Sequence, residues 1–462
     1  MKSILPYLFL ILTLFKTDIY GQKKINDNFK KETIIKIDTL LNENYVFPDQ
    51  AQAIGRHLKK KLKEGAFKKY EIIDSFAIAL TKEIRFVNND KHLGIWPAFV
   101  PKKQNESLSN DYQLYLKNYT DTRKQANGFK ETKIIDGNIG YLDISFFLSE
   151  TDKTIDSYMN LLSNTDAVII DLRNNGGGNP RTVNYLCSYF LKNQLLINTL
   201  YFRKGNRSDK IFTREVNGKK MIDVPLFILI SSKTFSGAEE FSYDMQTQKR
   251  AILVGETSGG AANPGEVFKI NNDLEIFIPT GTGINPITNT NWEGIGVIPE
   301  IKTSPEKAYD KAVELARESA QEYRSKKNSE SKLLYEKLQS IIDKNAQLSA
   351  VENKDSDIEQ QIIEIFKTGN SLNLFSENDI NFFGSQNIKK NPLIAELILK
   401  SNIIIFPKSP IAYLNYADML EINGKKDLAL THFAKAIALA EEQKAPYLEG
   451  LKMRYEKAKN TK

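Results

Sequence analysis

The stretch SSKTFSGAEEFSYDM, residues 231–245, follows the apolar run PLFILI. Ser236 therefore stands just past a strand end, at or near the start of a helix. The free N–H groups and the dipole at a helix start favour negative charge developing there. Gly237 would aim its own N–H into the same space. A serine in this place is either a cap or a nucleophile, and a nucleophilic serine needs a base. The chain has 3 histidines. His57 lies in the basic helical run RHLKKKLKEGAFKK, and His432 lies inside a helical pattern near the C-terminal end. His92, in NNDKHLGIWPAFV, sits at a turn–strand boundary beside Asp90 and is the best-placed candidate. A third group should orient the imidazole and stabilise its charged form. TNWEGIGVIPE offers Glu293, for which an ordinary surface carboxylate is the plain alternative. A fourth stretch, VIIDLRNNGGGN, runs from a buried strand into Gly176, Gly177 and Gly178, then into a helix-like segment. Such a turn aims free backbone N–H groups at one point. A phosphate is one possible occupant, but the G-x-x-x-x-G-K-[ST] pattern is missing from the sequence.

These residues need elements to hold them. Residues 22–100 show helical apolar spacing, followed by a turn and a strand, and read as a small helical domain. Residues 101–132 are polar and weakly patterned and read as a linker. Strands alternating with helices then fill 133–325: GNIGYLDISFF, AVIIDLR, PLFILI, AILVGET, FKINNDLEIFIPT and GIGVIPEI supply the strands. That alternation predicts an α/β domain. SPEKAYDKAVELARESAQEY is its exit helix, with Pro305 in the first turn. Residues 326–462 are helical. Within them Tyr413, Tyr416, Ala417, Leu420, Ala429, Phe433 and Ala436 follow the offsets of one tetratricopeptide helix pair, with Gly424 in the turn.

Taken together, the four chemical stretches resemble one family, the C-terminal processing (tail-specific) serine peptidases. They are most similar to the branch that includes the tricorn core and the interphotoreceptor retinoid-binding protein repeats. The resemblance covers roughly residues 30–305 and rests on YVFPD with NNDKHLGI, IIDLRNNGGG, SSKTFSGAEEF with RAILVGETSGGA, and NWEGIGVIPEI. It implies a crotonase-like β/α peptidase core with an N-terminal helical domain and a C-terminal all-α tetratricopeptide-like tail. It implies Ser236 as nucleophile, His92 as general base and Glu293 as the acidic member. It also implies an oxyanion hole built from the N–H of Gly237 and one from Gly176 or Gly177.

Two departures stand out. The other branch uses a Ser–Lys dyad with its lysine after a VGE-type strand; here VGETSGGAAN puts glycine or alanine in that place. The tricorn-like arrangement has a serine directly before the histidine, and here that position is Lys91. The stretch between His92 and Gly137 is also too short for the PDZ module common in the family.

Composition bounds the partners. Hydrophobic content of 41% and charged content of 26% are those of a globular protein, and the net charge of +7 comes from lysines spread along the chain. A basic stripe interleaved with aromatics is lacking, so nucleic acid is not an expected partner. Lys2 ahead of ILPYLFLILTLF, with Gly21 near a cleavage point, predicts a signal peptide over 1–21 and an exported, periplasmic or secreted protein with no span after its removal. Cys187 is the single cysteine, so the chain cannot form an internal disulfide. The expected partners are peptides or unfolded proteins as substrate, with a protein partner for the tetratricopeptide-like tail. No metal or cofactor is expected, since histidine and cysteine show no metal-ligand spacing.

Overall fold

The apolar runs that read as strands become the middle of a six-stranded sheet. In this computed structural model the described residues are 23–98, 126–345 and 356–460, with a few helical positions between 112 and 123. The predicted signal peptide and most of the predicted linker lie outside them. The sheet contains β2 (Phe129–Ile135), β3 (Ile139–Ile144), β4 (Ala167–Asp171), β7 (Leu226–Ile230), β8 (Ile252–Gly255) and β12 (Ile301–Lys302). Its order is β12-β8-β7-β4-β3-β2, parallel from β3 to β12, with β2 antiparallel on the edge. Every residue of β4 and β7 is buried. That explains their unbroken aliphatic sequences, because helices cover both faces of a parallel sheet.

One face carries α4 (Asp152–Leu162), α5 (Pro180–Phe190) and α6 (Gly237–Thr247). Ile155, Met159, Val183, Leu186, Phe241 and Met245 meet Leu142, Ile170, Ile228 and Ile230 in one apolar cluster. The other face is covered by the first turns of α7 (Pro305–Lys344). Ala308, Ala312, Ala316 and Ala320 present a four-residue stripe to Ile139, Tyr141, Ile169, Phe227 and Leu229. Small side chains at that spacing let the helix lie close to the strands. Burying each of these sheet isoleucines or leucines contributes roughly 1.5–3 kcal/mol.

The N-terminal helices α1 (Asp27–Asn44), α2 (Pro48–Lys63) and α3 (Ile73–Val87) share a second core with strands that arrive from both ends of the core region. β1 (Gly94–Pro97) pairs antiparallel with β10 (Leu274–Pro279), which pairs with β9 (Gly265–Lys269). Ile34, Leu41, Ile54, Phe76 and Leu80 pack with Leu93, Ile95, Ile276 and Ile278. The stretch FKINNDLEIFIPT was expected to strengthen the α/β domain. It leaves the main sheet instead and completes the helical layer, because β1 alone has no partner. A third sheet joins β11 (Gly281–Ile284), β5 (Leu196–Phe202) and β6 (Arg207–Phe212). β2 begins inside the stretch predicted as linker. Its exposed Lys130 and Glu131, near the start of the strand, hide the strand period because β2 is an edge.

The chain divides into two units, Met1–Tyr323 and Arg324–Lys462. The second contains the rest of α7, then α8 (Ser356–Ser371), α9 (Glu377–Asn387), α10 (Pro392–Ile405), α11 (Pro410–Ile422), α12 (Lys426–Glu442) and α13 (Leu448–Asn460). α11 and α12 form a hairpin around Gly424, whose φ of 73° suits glycine. Tyr416, Ala417, Leu420, Ala429 and Phe433 are buried together in it. A helical hairpin stands where the tetratricopeptide-like pair was expected, and its likeness to that repeat rests on the spacing alone. Among the described residues no helix is long and apolar enough to cross a membrane.

Candidate active site

β4 and β7 are parallel neighbours, so their carboxyl ends open at the same edge of the sheet. That topology brings the glycine turn after β4 against the serine segment after β7. Thr234 Oγ1 donates to the Leu172 carbonyl at 2.8 Å, Ser231 Oγ donates to the Arg173 carbonyl at 2.6 Å, and Phe235 N–H donates to the Asn175 carbonyl at 3.0 Å. Asn175 is fully buried; its Nδ2 donates to the Ile144 carbonyl at 2.8 Å and its Oδ1 accepts from Gly177 N–H at 2.8 Å. Nothing in its sequence context beyond the neighbouring glycines marks it as the residue that holds this turn.

Ser236 has φ 53° and ψ −120°, directly before α6. A side-chain-bearing residue held in such a region costs about 1–3 kcal/mol. Gly177, with φ 102°, lies so close that a Cβ on it would stand 2.8 Å from both Ser236 Cβ and the Phe235 carbonyl oxygen. The expected oxyanion donors need one correction. The N–H of Gly177 is committed to Asn175 Oδ1, so it is not open to a ligand. The N–H groups of Gly176, Gly178 and Gly237 make no hydrogen bond among the described residues. Gly237 adjoins Gly178, whose nitrogen would lie 3.2 Å from a Cβ on Gly237.

His92 arrives from the helical layer, two residues ahead of β1. Its backbone N–H donates to Asp90 Oδ1 at 3.0 Å, closing the turn. Arg85 on α3 braces the same turn, donating to the carbonyls of Leu93 at 2.8 Å and Lys91 at 2.7 Å. The imidazole packs between Phe235 and Phe277, with ring centroids 5.0 and 5.6 Å away. Its Nε2 lies 3.1 Å from Ser236 Oγ. Burial, with a smaller contribution from the Arg85 charge, pushes the His92 pKa down to about 3. The ring is therefore neutral at physiological pH and can accept a proton. The other histidines are occupied elsewhere: His57 is paired with Glu83 at 2.6 Å, and His432 packs on Tyr413 and Tyr416 in the second unit.

The acid side holds two carboxylates. One oxygen each of Asp90 and Glu293 and one ring nitrogen of His92 lie within 4.8 Å of one another. Asp90 is buried, and its Oδ2 accepts from Tyr45 Oη at 3.0 Å and Asn263 Nδ2 at 3.1 Å. Glu293 Oε2 accepts from Ala262 N–H at 2.6 Å. Glu293 Oε1 and His92 Nδ1 are buried without a hydrogen-bond partner among the described residues. Burial raises the Asp90 pKa. Burial, then the Asp90 charge, raises that of Glu293 to about 8. Lys91, at the position of the expected bridging serine, donates its Nζ to the Gly259 carbonyl. The same three donors are the group among the described residues close enough to hold a divalent cation. Asp90, Asn263 and Tyr45 were not singled out as site residues from the sequence; only the D-x-H spacing hinted at Asp90.

The chain matches two family models: "Peptidase family S41" over residues 138–303, and "N-terminal domain of Peptidase_S41 in eukaryotic IRBP" over residues 28–126. It is 26% identical over 165 residues to a carboxyl-terminal-processing protease of Synechocystis, covering 35% of this chain and 37% of that protein. It is 23% identical over 174 residues to a carboxy-terminal-processing protease of Bartonella bacilliformis, covering 36% and 39%. The chain thus spans less than half the length of these curated relatives. Among solved structures, a lipoprotein from Streptococcus agalactiae aligns with TM-score 0.42 and 18% identity, covering 65% of this chain and 99% of that one. A chain described as a peptidase from Parabacteroides merdae aligns with TM-score 0.45 and 14% identity, covering 62% and 96%. Through residues 138–303, preceded by an N-terminal domain of the type found in interphotoreceptor retinoid-binding protein, the chain belongs to peptidase family S41, a family of serine-type peptidases.

Proposed function

We propose that this protein is an exported serine endopeptidase that hydrolyses peptides or unfolded protein segments. Ser236 Oγ attacks the scissile carbonyl carbon while His92 Nε2 takes the hydroxyl proton. The oxyanion is received by the N–H of Gly237 with that of Gly176 or its neighbour Gly178. The tetrahedral intermediate collapses, the C–N bond breaks and His92 returns the proton to the leaving amine. Water then repeats the sequence on the acyl-enzyme. Glu293 stabilises the imidazolium, and Asp90 shapes the turn and the charge beside it. The single observation that carries this reading is the 3.1 Å approach of His92 Nε2 to Ser236 Oγ at a helix start. No cofactor takes part in these steps.

Cleavage of casein by residues 22–462, beside Ser236→Ala and His92→Ala, tests it. Wild-type cleavage lost in both variants is the expected result. Three equally inert proteins would favour a non-catalytic peptide- or ligand-binding protein on the same fold. The observation behind that second reading is the unpartnered pair His92 Nδ1 and Glu293 Oε1, an acid–imidazole link with no direct hydrogen bond. The helical tail is proposed to recognise a protein partner. Removing residues 330–462 with no change in substrate choice would end that idea.

A further inference from the structure

Glu239 stands three residues after Ser236, the spacing of an ordinary capping box, in which its only task would be to accept the Ser236 N–H. It does accept that N–H, through Oε2 at 2.8 Å. Three more donors reach the same carboxylate from outside the helix: Ser258 Oγ and Gly260 N–H on Oε1, each at 2.5 Å, and Ala261 N–H on Oε2 at 3.0 Å. Glu239 has no solvent exposure. A carboxylate offers two oxygens and about four lone-pair sites and donates nothing when ionised. Four donors therefore saturate it and select the ionised form, against the burial that lifts its pKa.

The geometry points to Glu239 as a positioning residue that locks the nucleophile's backbone to the loop carrying the acid side. The loop residues bound by Glu239 directly precede Ala262, whose N–H holds Glu293, and Asn263, whose amide holds Asp90. Ser258 Oγ also accepts from Val297 N–H at 2.6 Å, beyond Glu293 in the chain. One buried anion thus fixes the strained Ser236 backbone and the register of the segment that sets both carboxylates. A misplacement of about 1 Å in such a site lowers a rate about 100-fold. This inference rests on Ser236 being the reacting serine, as proposed above.

The test compares wild type, Glu239→Gln and Glu239→Ala in the full chain. Three quantities are read: casein kcat and KM, the rate at which a fluorophosphonate phosphonylates Ser236 with loss of fluoride, and amide hydrogen exchange over residues 236–240 and 258–263. Gln keeps the shape but sets an NH2 group against backbone donors. The expected result is phosphonylation and kcat about 100-fold slower in Gln and at least that in Ala, with KM within about threefold. Exchange should rise in both segments while the melting temperature of Gln stays near wild type. A mere helix cap would raise exchange in 236–240 alone and leave 258–263 protected, and that outcome overturns the inference. So does a Gln variant that is phosphonylated and exchanges like wild type. A wild type inert to casein and fluorophosphonate would instead count against the peptidase reading, while linked exchange of the two segments would still uphold the lock.

Discussion

The nucleophile side and the acid side of this site are each centred on a glutamate, Glu239 fully buried and Glu293 half-buried, and the two are held in different ways. Glu239 accepts four hydrogen bonds and has no oxygen to spare. Glu293 has one oxygen on Ala262 N–H and another with no partner among the described residues, and it stands near a second carboxylate. A saturated buried anion is fixed in charge and place, whereas an undersatisfied one can change protonation or strengthen a contact as charge develops elsewhere. The difference separates scaffold from chemistry. Glu239 keeps Ser236 in an unfavourable backbone conformation. Glu293 can respond when His92 becomes charged.

The contrast can be broken at several points. Ser236→Ala and His92→Ala should each lower casein kcat by about 10⁴- to 10⁶-fold, and only His92→Ala should also lower the melting temperature, since its ring packs between Phe235 and Phe277. Comparable losses in the two would show that they act as one unit. Gly177→Ala comes next. Its Cβ would press on Ser236 Cβ and the Phe235 carbonyl at a φ that disfavours alanine. An activity loss of at least about 100-fold is expected, with thermal unfolding at a lower temperature. An alanine variant that keeps full activity would show that the glycine turn does not confine the nucleophile.

Glu293→Gln should cost about 10- to 100-fold at neutral pH and should also change the pH profile. With a Glu293 pKa near 8 and His92 neutral down to about 3, wild-type kcat/KM should rise as pH approaches and passes 8. The Gln variant should lose that limb. The stability effect has the opposite sign. A carboxyl whose folded pKa is raised from 4.5 to about 8 favours the folded state below pH 4.5, and that contribution is lost as pH rises through 8. Denaturant midpoints of wild type should therefore fall over that range more steeply than those of Glu293→Gln. Asp90→Asn should have the smallest effect on rate, within about tenfold. It removes the charge that raises Glu293 after burial itself, so the alkaline limb should move to lower pH. An unmoved limb would assign it to another group.

How much of this was legible follows the range of the interactions. The aliphatic runs of β4 and β7 announce a doubly covered parallel sheet, and the helical spacing of α1–α3 announces a helical layer. Ser236, His92 and Glu293 could be picked as candidates from their places after a strand, at a turn–strand boundary and in a loop, and from the family that their four flanking stretches together resemble, since each residue alone has a plainer reading. Three features could not be read. FKINNDLEIFIPT reads as part of the α/β domain, and its pairing with β1 in a separate sheet is set by contacts far along the chain. Gly177 looked like an N–H donor, but the Asn175 side chain folds back on it. Glu239 carries no mark of its role, because S-x-x-E gives no sign of three further donors arriving from residues 258–261.

The sequence by itself determined the element order, the apolar faces and the chemical types at the site, since these depend on local propensity and on spacing along the chain. The tertiary structure alone decided which N–H groups remain open, which carboxylate is saturated, and that His92 Nε2 meets Ser236 Oγ at 3.1 Å. Those properties depend on groups far apart in the chain competing for the same few hydrogen-bonding positions, and the competition is settled only when β4 and β7 lie side by side and β1 pairs with β10.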